Sequence, residues 1–193
     1  HINFTTLRGR FRPLQGMGSS PLFFGETPMK NKKFLAGEEA GTYIVPEQVT
    51  EADILDMALK LARGRLSKGR KIEQPSSAFS YLQTLMHEYE HEVFGVLFLD
   101  TKHRVIRFEE LFKGTLDAAS VYPREVTKRA LELNAAAVIL VHNHPSGDPE
   151  PSEADKRITH RLRDALSLVD IRTLDHVVVA SEGCVSLAER GYL

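Results

Sequence analysis

The chain has a single cysteine, Cys184, no apolar run longer than Ala135 to Val141, and almost no charge imbalance over its 193 residues. Each scarcity excludes a class of protein. One cysteine cannot close an intrachain disulfide, and no secretory segment with an apolar core is expected ahead of the domain, so a reducing, cytoplasmic location is expected. No stretch approaches the roughly 20 apolar residues needed to cross a bilayer, so no membrane role is expected. A formal charge of -1 gives no overall attraction to nucleic acid or anionic lipid, and only local patches need weighing. The sequence holds no internal repeat and no low-complexity tract.

What is present suits one principal domain, since 42% hydrophobic residues in a chain of this length can bury one good core. Residues 1–45 mix Gly, Pro, Arg and scattered aromatics without a sustained period, which predicts an irregular or disordered arm without chemistry. Met29 resembles a natural start, so residues 1–28 are expected to be a leader or a cloning remnant. Residues 46–90 predict a small helical cap. Thr50 precedes the acidic first turn of a helix over 51–64, with Ile54, Leu55, Ala58, Leu59 and Ala62 at helical spacing, and a second helix follows Pro75 and runs to about Glu90 with Phe79, Leu82, Leu85 and Met86 inward.

Lys60, Arg63, Arg65, Lys68, Arg70 and Lys71 form a basic cluster with no acidic residue among them. Cations gather at helix C-termini through the macrodipole alone, so a solvated helix end and a contact with a nucleic acid both fit.

From residue 91 to 193 strands and helices alternate, which predicts an α/β domain with a mixed sheet flanked by helices. Val93–Asp100 reads as a buried strand, Val105–Phe108 with Leu111 and Phe112 as its hairpin partner, and Ala136–Val141 as a central strand that delivers His142 at its end. Pro123 suits the first turn of a helix carrying Val126, Ala130, Leu131 and Leu133, ended at Asn134. Glu153 to about Leu168 reads as a helix with Ile158, Leu162, Ala165 and Leu166 on one face, and Thr173–Ala180 as a strand leading to a turn at 181–183.

The segment HNHPSGDPEPSEAD, His142 to Asp155, carries the chemistry. His142 and His144 are two apart, so on an extended backbone both imidazoles leave one face and can share an ion. Asp155 supplies a third donor, and three N/O ligands suit zinc with a fourth position open for water, which points to catalysis rather than structural stapling. Glu92, just before the buried strand, is the candidate base, and Gly95 would permit close backbone approach. Ser152 reads as the N-cap of the next helix and also as a donor to a tetrahedral oxyanion. Asp175-His176 reads as a satisfied structural pair or as support for a metal ligand. His87, His91, His103 and His160 lack a third ligand at defined spacing and read as surface or packed residues; Cys184 has no evident base.

Glu92, His142-x-His144 and Ser152-x-x-Asp155, with seven residues between His144 and Ser152, resemble the JAMM motif of the MPN-domain metalloproteases. Within that group the chain is similar to bacterial RadC proteins over about residues 46–193, through the motif, the preceding GTLDAASVYPREVTKRALELNAAAVILVHNHPSG and the later LDHVVV. The resemblance implies an MPN-like fold, one zinc per protomer on His142, His144 and Asp155, Glu92 as general acid/base, Ser152 aiding the transition state, and hydrolysis of a peptide or isopeptide bond in a peptide or protein substrate. It also implies an association with DNA repair, although residues 46–90 contain no glycine-bearing hairpin pair of the kind that full-length RadC proteins usually carry. Two alternatives stay open: a DNA-associated accessory protein with a structural or vestigial metal site, and a metal-dependent phosphodiesterase or nuclease.

Overall fold

Residues 33–73, 76–86, 89–114 and 121–193 are described in the computed structural model. The proposed leader at 1–28 and His87 lie outside the described residues. The chain divides into two units, residues 1–48 and 49–193. In the described part of the first, β1 (Leu35–Ala36) pairs antiparallel with β2 (Tyr43–Ile44). Gly37 N–H donates to the Thr42 carbonyl at 2.9 Å and Thr42 Oγ1 to the Glu39 carbonyl at 2.7 Å. An irregular segment was expected here; two strands of two residues each are too short to leave a periodic trace.

In the second unit, α1 (Glu51–Arg65) begins at a capping box in which Thr50 and Asp53 exchange backbone and side-chain hydrogen bonds. Its buried residues are Met57 and Ala62, whereas Ile54 and Leu55 are exposed, so the apolar spacing read in the sequence overstates the face that packs. Helix α2 (Ser76–Met86) buries Ala78, Leu82 and Met86, and Tyr89 and Glu90 are not helical, so the helix does not reach Glu90. Then follow β3 (Val93–Leu99), β4 (Val105–Lys113), α3 (Pro123–Glu132), β5 (Ala137–Asn143), α4 (Glu153–Ser167), β6 (Arg172–Ala180) and β7 (Gly183–Ser186). Pro123 occupies the first turn of α3, and Leu131 points to solvent rather than inward. Strand β7 was not foreseen beyond its turn.

The five strands lie in the order β4-β3-β5-β6-β7, with β5 and β6 parallel and the other pairs antiparallel. A parallel pair needs a crossover, and α4 supplies it. Alternation divides the core into two layers. Val93, Leu97, Leu99, Ile139 and Val141 pack with Leu82 and Met86 of α2, while Phe94, Val96, Phe98, Val138 and Leu140 pack with Val126 of α3 and Leu162 and Leu166 of α4. This mixed sheet between helical layers is the α/β architecture that the sequence predicts. No described helix is long and apolar enough to cross a membrane.

Gly95 sits where β3 approaches both neighbours. A Cβ there would lie 2.8 Å from Phe108 Cζ and 3.3 Å from Val141 Cγ1. Phe108 must therefore shift in Gly95→Ala, and chemical denaturation should register a loss of about 1–3 kcal/mol from overpacking.

Candidate metal centre

The register of β3 against β5 assembles the site. Phe94 pairs with His142 across an antiparallel ladder, so His142 takes the face that Leu140 and Val138 share with α3 and α4. His144 follows two residues on, in the same parity, and its N–H donates to the Val179 carbonyl at 2.8 Å. Between them Asn143 faces the opposite way. Buried at 2% exposure, its Oδ1 accepts from Val93 N–H at 2.7 Å and its Nδ2 donates to the His91 carbonyl at 3.1 Å. That clamp fixes the chain on both sides of Glu92, and extending the register by two places sets Glu92 opposite His144. Glu92 is half-buried, and its charge helps to hold His144 in the protonated form.

Asp155 arrives from the first turn of α4. Ser152 caps this helix: its Oγ accepts from Asp155 N–H at 3.2 Å, while its backbone N–H and its hydroxyl donate to Asp155 Oδ2 at 2.7 and 2.6 Å. With Oδ2 so occupied, Oδ1 stands 3.2 Å from His142 Nε2. His142 Nε2 and His144 Nε2 are 3.0 Å apart, and His144 Nε2 is 3.6 Å from Asp155 Oδ2. Donors each roughly 2.0–2.1 Å from one tetrahedral ion stand about 3.3 Å from each other; the two closest approaches here, 3.0 and 3.2 Å, match that spacing, and one donor atom from each of the three residues lies within 4.8 Å of the others. Among the described residues, these three side chains form the group placed to hold such an ion. His142 and Asp155 are buried and His144 is partly open, which leaves access from the His144 side.

Charge in the metal-free triangle is shared unevenly. Burial pushes Asp155 upward, but the neighbouring His142 and His144 imidazoles and the Ser152 hydroxyl outweigh it and hold the carboxyl far below its usual range. The bond to Asp155 raises His144 above an ordinary histidine against the opposing effect of burial. His144 Nδ1 lies 2.9 Å from the Asp148 carbonyl, an acceptor only, so Nδ1 bears hydrogen there and Nε2 is the nitrogen turned toward His142 and Asp155. The Pro/Gly loop that holds Asp148 turns at Gly147, whose φ of 94° favours glycine, and Glu182 N–H closes onto the Gly147 carbonyl at 3.2 Å.

Behind the triangle lie residues the motif does not name. His176 on β6 is wholly buried, with Nε2 at 2.8 Å from His142 Nδ1 and Nδ1 at 2.5 Å from Thr159 Oγ1. Burial lowers its proton affinity well below that of a free imidazole. Of the two readings of Asp175-His176, each residue takes one. Asp175 is structural, accepting from Ser186 Oγ, His176 N–H and Ala188 N–H at 2.7, 2.7 and 3.1 Å, and His176 meets a candidate ligand. Thr159 was missed, although it stands four residues after Asp155 and therefore on the same helix face. Asn143 was missed too; its place between two histidines that share a face was the available signal.

The other described histidines stand apart. His91 stacks on Tyr89, His103 accepts from Arg172 Nη2 at 3.0 Å, and His160 donates to the Tyr192 carbonyl at 2.9 Å. Burial pushes the Cys184 thiol up to about 11, which keeps it protonated near neutrality.

The family model described as the RadC-like JAB domain matches residues 72–192. Two UPF0758 proteins of Vibrio cholerae are 57% and 51% identical to the chain over 151 residues, 78% of this chain and 95% and 96% of theirs. A UPF0758 protein of Methylibium petroleiphilum is 56% identical over 142 residues, 74% of this chain and 64% of its own length. With a family match over more than half its length, and with the strand pairing and donor triangle described above, the chain belongs to the RadC-like JAB domain family.

Proposed function

We propose that the protein is a zinc-dependent hydrolase of the JAMM type that cleaves a peptide or isopeptide bond in a peptide or protein substrate. The observation that carries this reading is the convergence of His142 Nε2, His144 Nε2 and the Asp155 carboxylate on one side of the sheet with Glu92 set opposite His144. Zinc bound there would acidify a coordinated water to a pKa of about 7 and polarise the scissile carbonyl. Glu92 accepts a proton at its carboxylate and returns it to the leaving amine. Ser152 holds Asp155 through its backbone N–H, so its exposed hydroxyl can turn from Oδ2 toward a developing oxyanion while Oδ2 keeps one donor. Phe94, stacked at 6.4 Å on the His142 ring, excludes water behind that ligand.

Elemental analysis tests the reading. The purified protein should hold about one zinc per protomer, and His142→Ala should hold close to none. Unchanged zinc content in the variant would remove the ligand assignment.

A second reading is supported by the basic cluster. Lys60, Arg63, Arg65, Lys68, Arg70 and Lys71 are all exposed, around the last turn of α1 and the segment after it. We propose that this surface contacts a nucleic-acid backbone, with or without turnover at the metal site. If the six cations each neutralise a phosphate, affinity should drop about 10³-fold between 50 and 200 mM salt. Binding that is absent, or indifferent to salt, would discard this reading.

A further inference from the structure

We propose that His176 and Thr159 are positioning residues that hold His142 in the tautomer with its proton on Nδ1, so that the Nε2 lone pair faces the metal position. This inference rests on the metal-site reading above and adds two residues that the motif does not contain.

The argument starts from one hydrogen. Thr159 Oγ1 lies 2.5 Å from the Asp155 carbonyl and 2.5 Å from His176 Nδ1. A hydroxyl has a single hydrogen and a carbonyl can only accept, so that hydrogen goes to Asp155. The reverse arrangement would set oxygen lone pairs against each other at 2.5 Å in a buried site, with nothing to offset the repulsion. Toward His176 the hydroxyl therefore offers only lone pairs, and Nδ1 of His176 must be the protonated nitrogen.

Each further step is forced by the one before. The two ring nitrogens of His176 contact Thr159 and His142, and the ring is wholly buried, so it is neutral and carries one proton. Its Nε2 is then bare and accepts at 2.8 Å from His142 Nδ1. With its proton placed on Nδ1, His142 presents a bare Nε2 to His144 and Asp155. Phe94 packs against both rings, parallel to His142 at 6.4 Å and edge-on to His176 at 5.5 Å. Asp175 anchors His176 through its backbone N–H at 2.7 Å.

The contrast with His144 explains why a relay is needed. His144 lies past the end of β5, where the loop brings the Asp148 carbonyl directly to its Nδ1. His142 lies within β5, between β3 and β6, where backbone carbonyls are engaged in the ladders. A neutral imidazole can stand in for the missing carbonyl only if its own tautomer is fixed, and Thr159 fixes it.

The test combines nitrogen-15 NMR of the histidine rings with zinc affinity by chelator competition. In the metal-free wild type, His142 should bear its proton on Nδ1. Thr159→Val keeps the shape but removes the hydroxyl; it should shift the His142 proton toward Nε2 and weaken zinc binding about 10–100-fold. Thr159→Ser should restore both readouts, which a purely structural role for the side chain would not predict. A wild-type His142 protonated on Nε2 overturns the inference without reference to any variant, as does a valine variant with wild-type tautomer and affinity. A wild type that binds no zinc, yet holds Nδ1–H in a Thr159-dependent way, sustains the relay and defeats the hydrolase reading instead.

Discussion

Glu92→Gln should keep its zinc and lose turnover by about 10²–10⁴-fold, the usual contribution of a positioned general acid/base. The amide matches the carboxylate in shape, so the clamp that Asn143 makes to Val93 and His91 stays intact and the segment keeps its course. What disappears is the capacity to take up a proton beside His144. The three candidate metal donors come from β5, the residue just past its end and α4, and none from the segment holding Glu92, so metal content should be unaffected. The loss should fall on kcat with KM little changed, because Glu92 acts on the reacting proton rather than on substrate affinity. The measurement is turnover on a substrate found by comparing peptides released in the presence of wild type and variant. A variant with wild-type kcat rejects Glu92 as the proton shuttle, and a variant that loses zinc reassigns it as a ligand.

Much of this site was legible because the sequence repeats the physics locally. Seven apolar residues followed by His-Asn-His can only be a buried strand emerging into something polar, and Pro-Ser-Glu-Ala-Asp announces a capped helix through the reciprocal hydrogen bonds of Ser152 and Asp155. One carboxylate therefore caps α4 through Oδ2 and faces His142 through Oδ1, so the structural and functional readings of Asp155 are compatible. The parts that were not legible depend on pairing between distant segments. His176 and Thr159 are 17 residues apart and meet only because β5 and β6 run parallel with α4 laid across them. Strand β7 has four residues, three of them only half-buried, so alternation had no length over which to show. Ile54, Leu55 and Leu131 belong to the apolar spacing that marked their helices yet are exposed, because a helix carries more apolar residues than the stripe that meets a neighbour.

Zinc should stabilise the protein strongly near pH 8 and little near pH 5, a slope opposite to that of the metal-free triangle. Without metal, His144 is raised above its ordinary 6.5, so its pairing with Asp155 contributes fully below that value and is lost as pH rises through the folded value. Asp155 is depressed below its ordinary 3.8, so its part is present above that value and lost only as pH falls through the much lower folded one. The pair thus supports the fold in mildly acid solution and fades on the alkaline side. Zinc takes the place of the proton on His144 Nε2, so its binding must release that proton and gains strength as pH rises. At a thousandfold excess over Kd the linkage is worth about 4.1 kcal/mol, or about 8–16 °C in Tm for a unit of this size. Thermal unfolding with and without zinc at the two pH values measures both slopes. Equal zinc stabilisation at pH 5 and pH 8 would mean that the ion binds at donors that do not titrate in this window, and therefore not at His144.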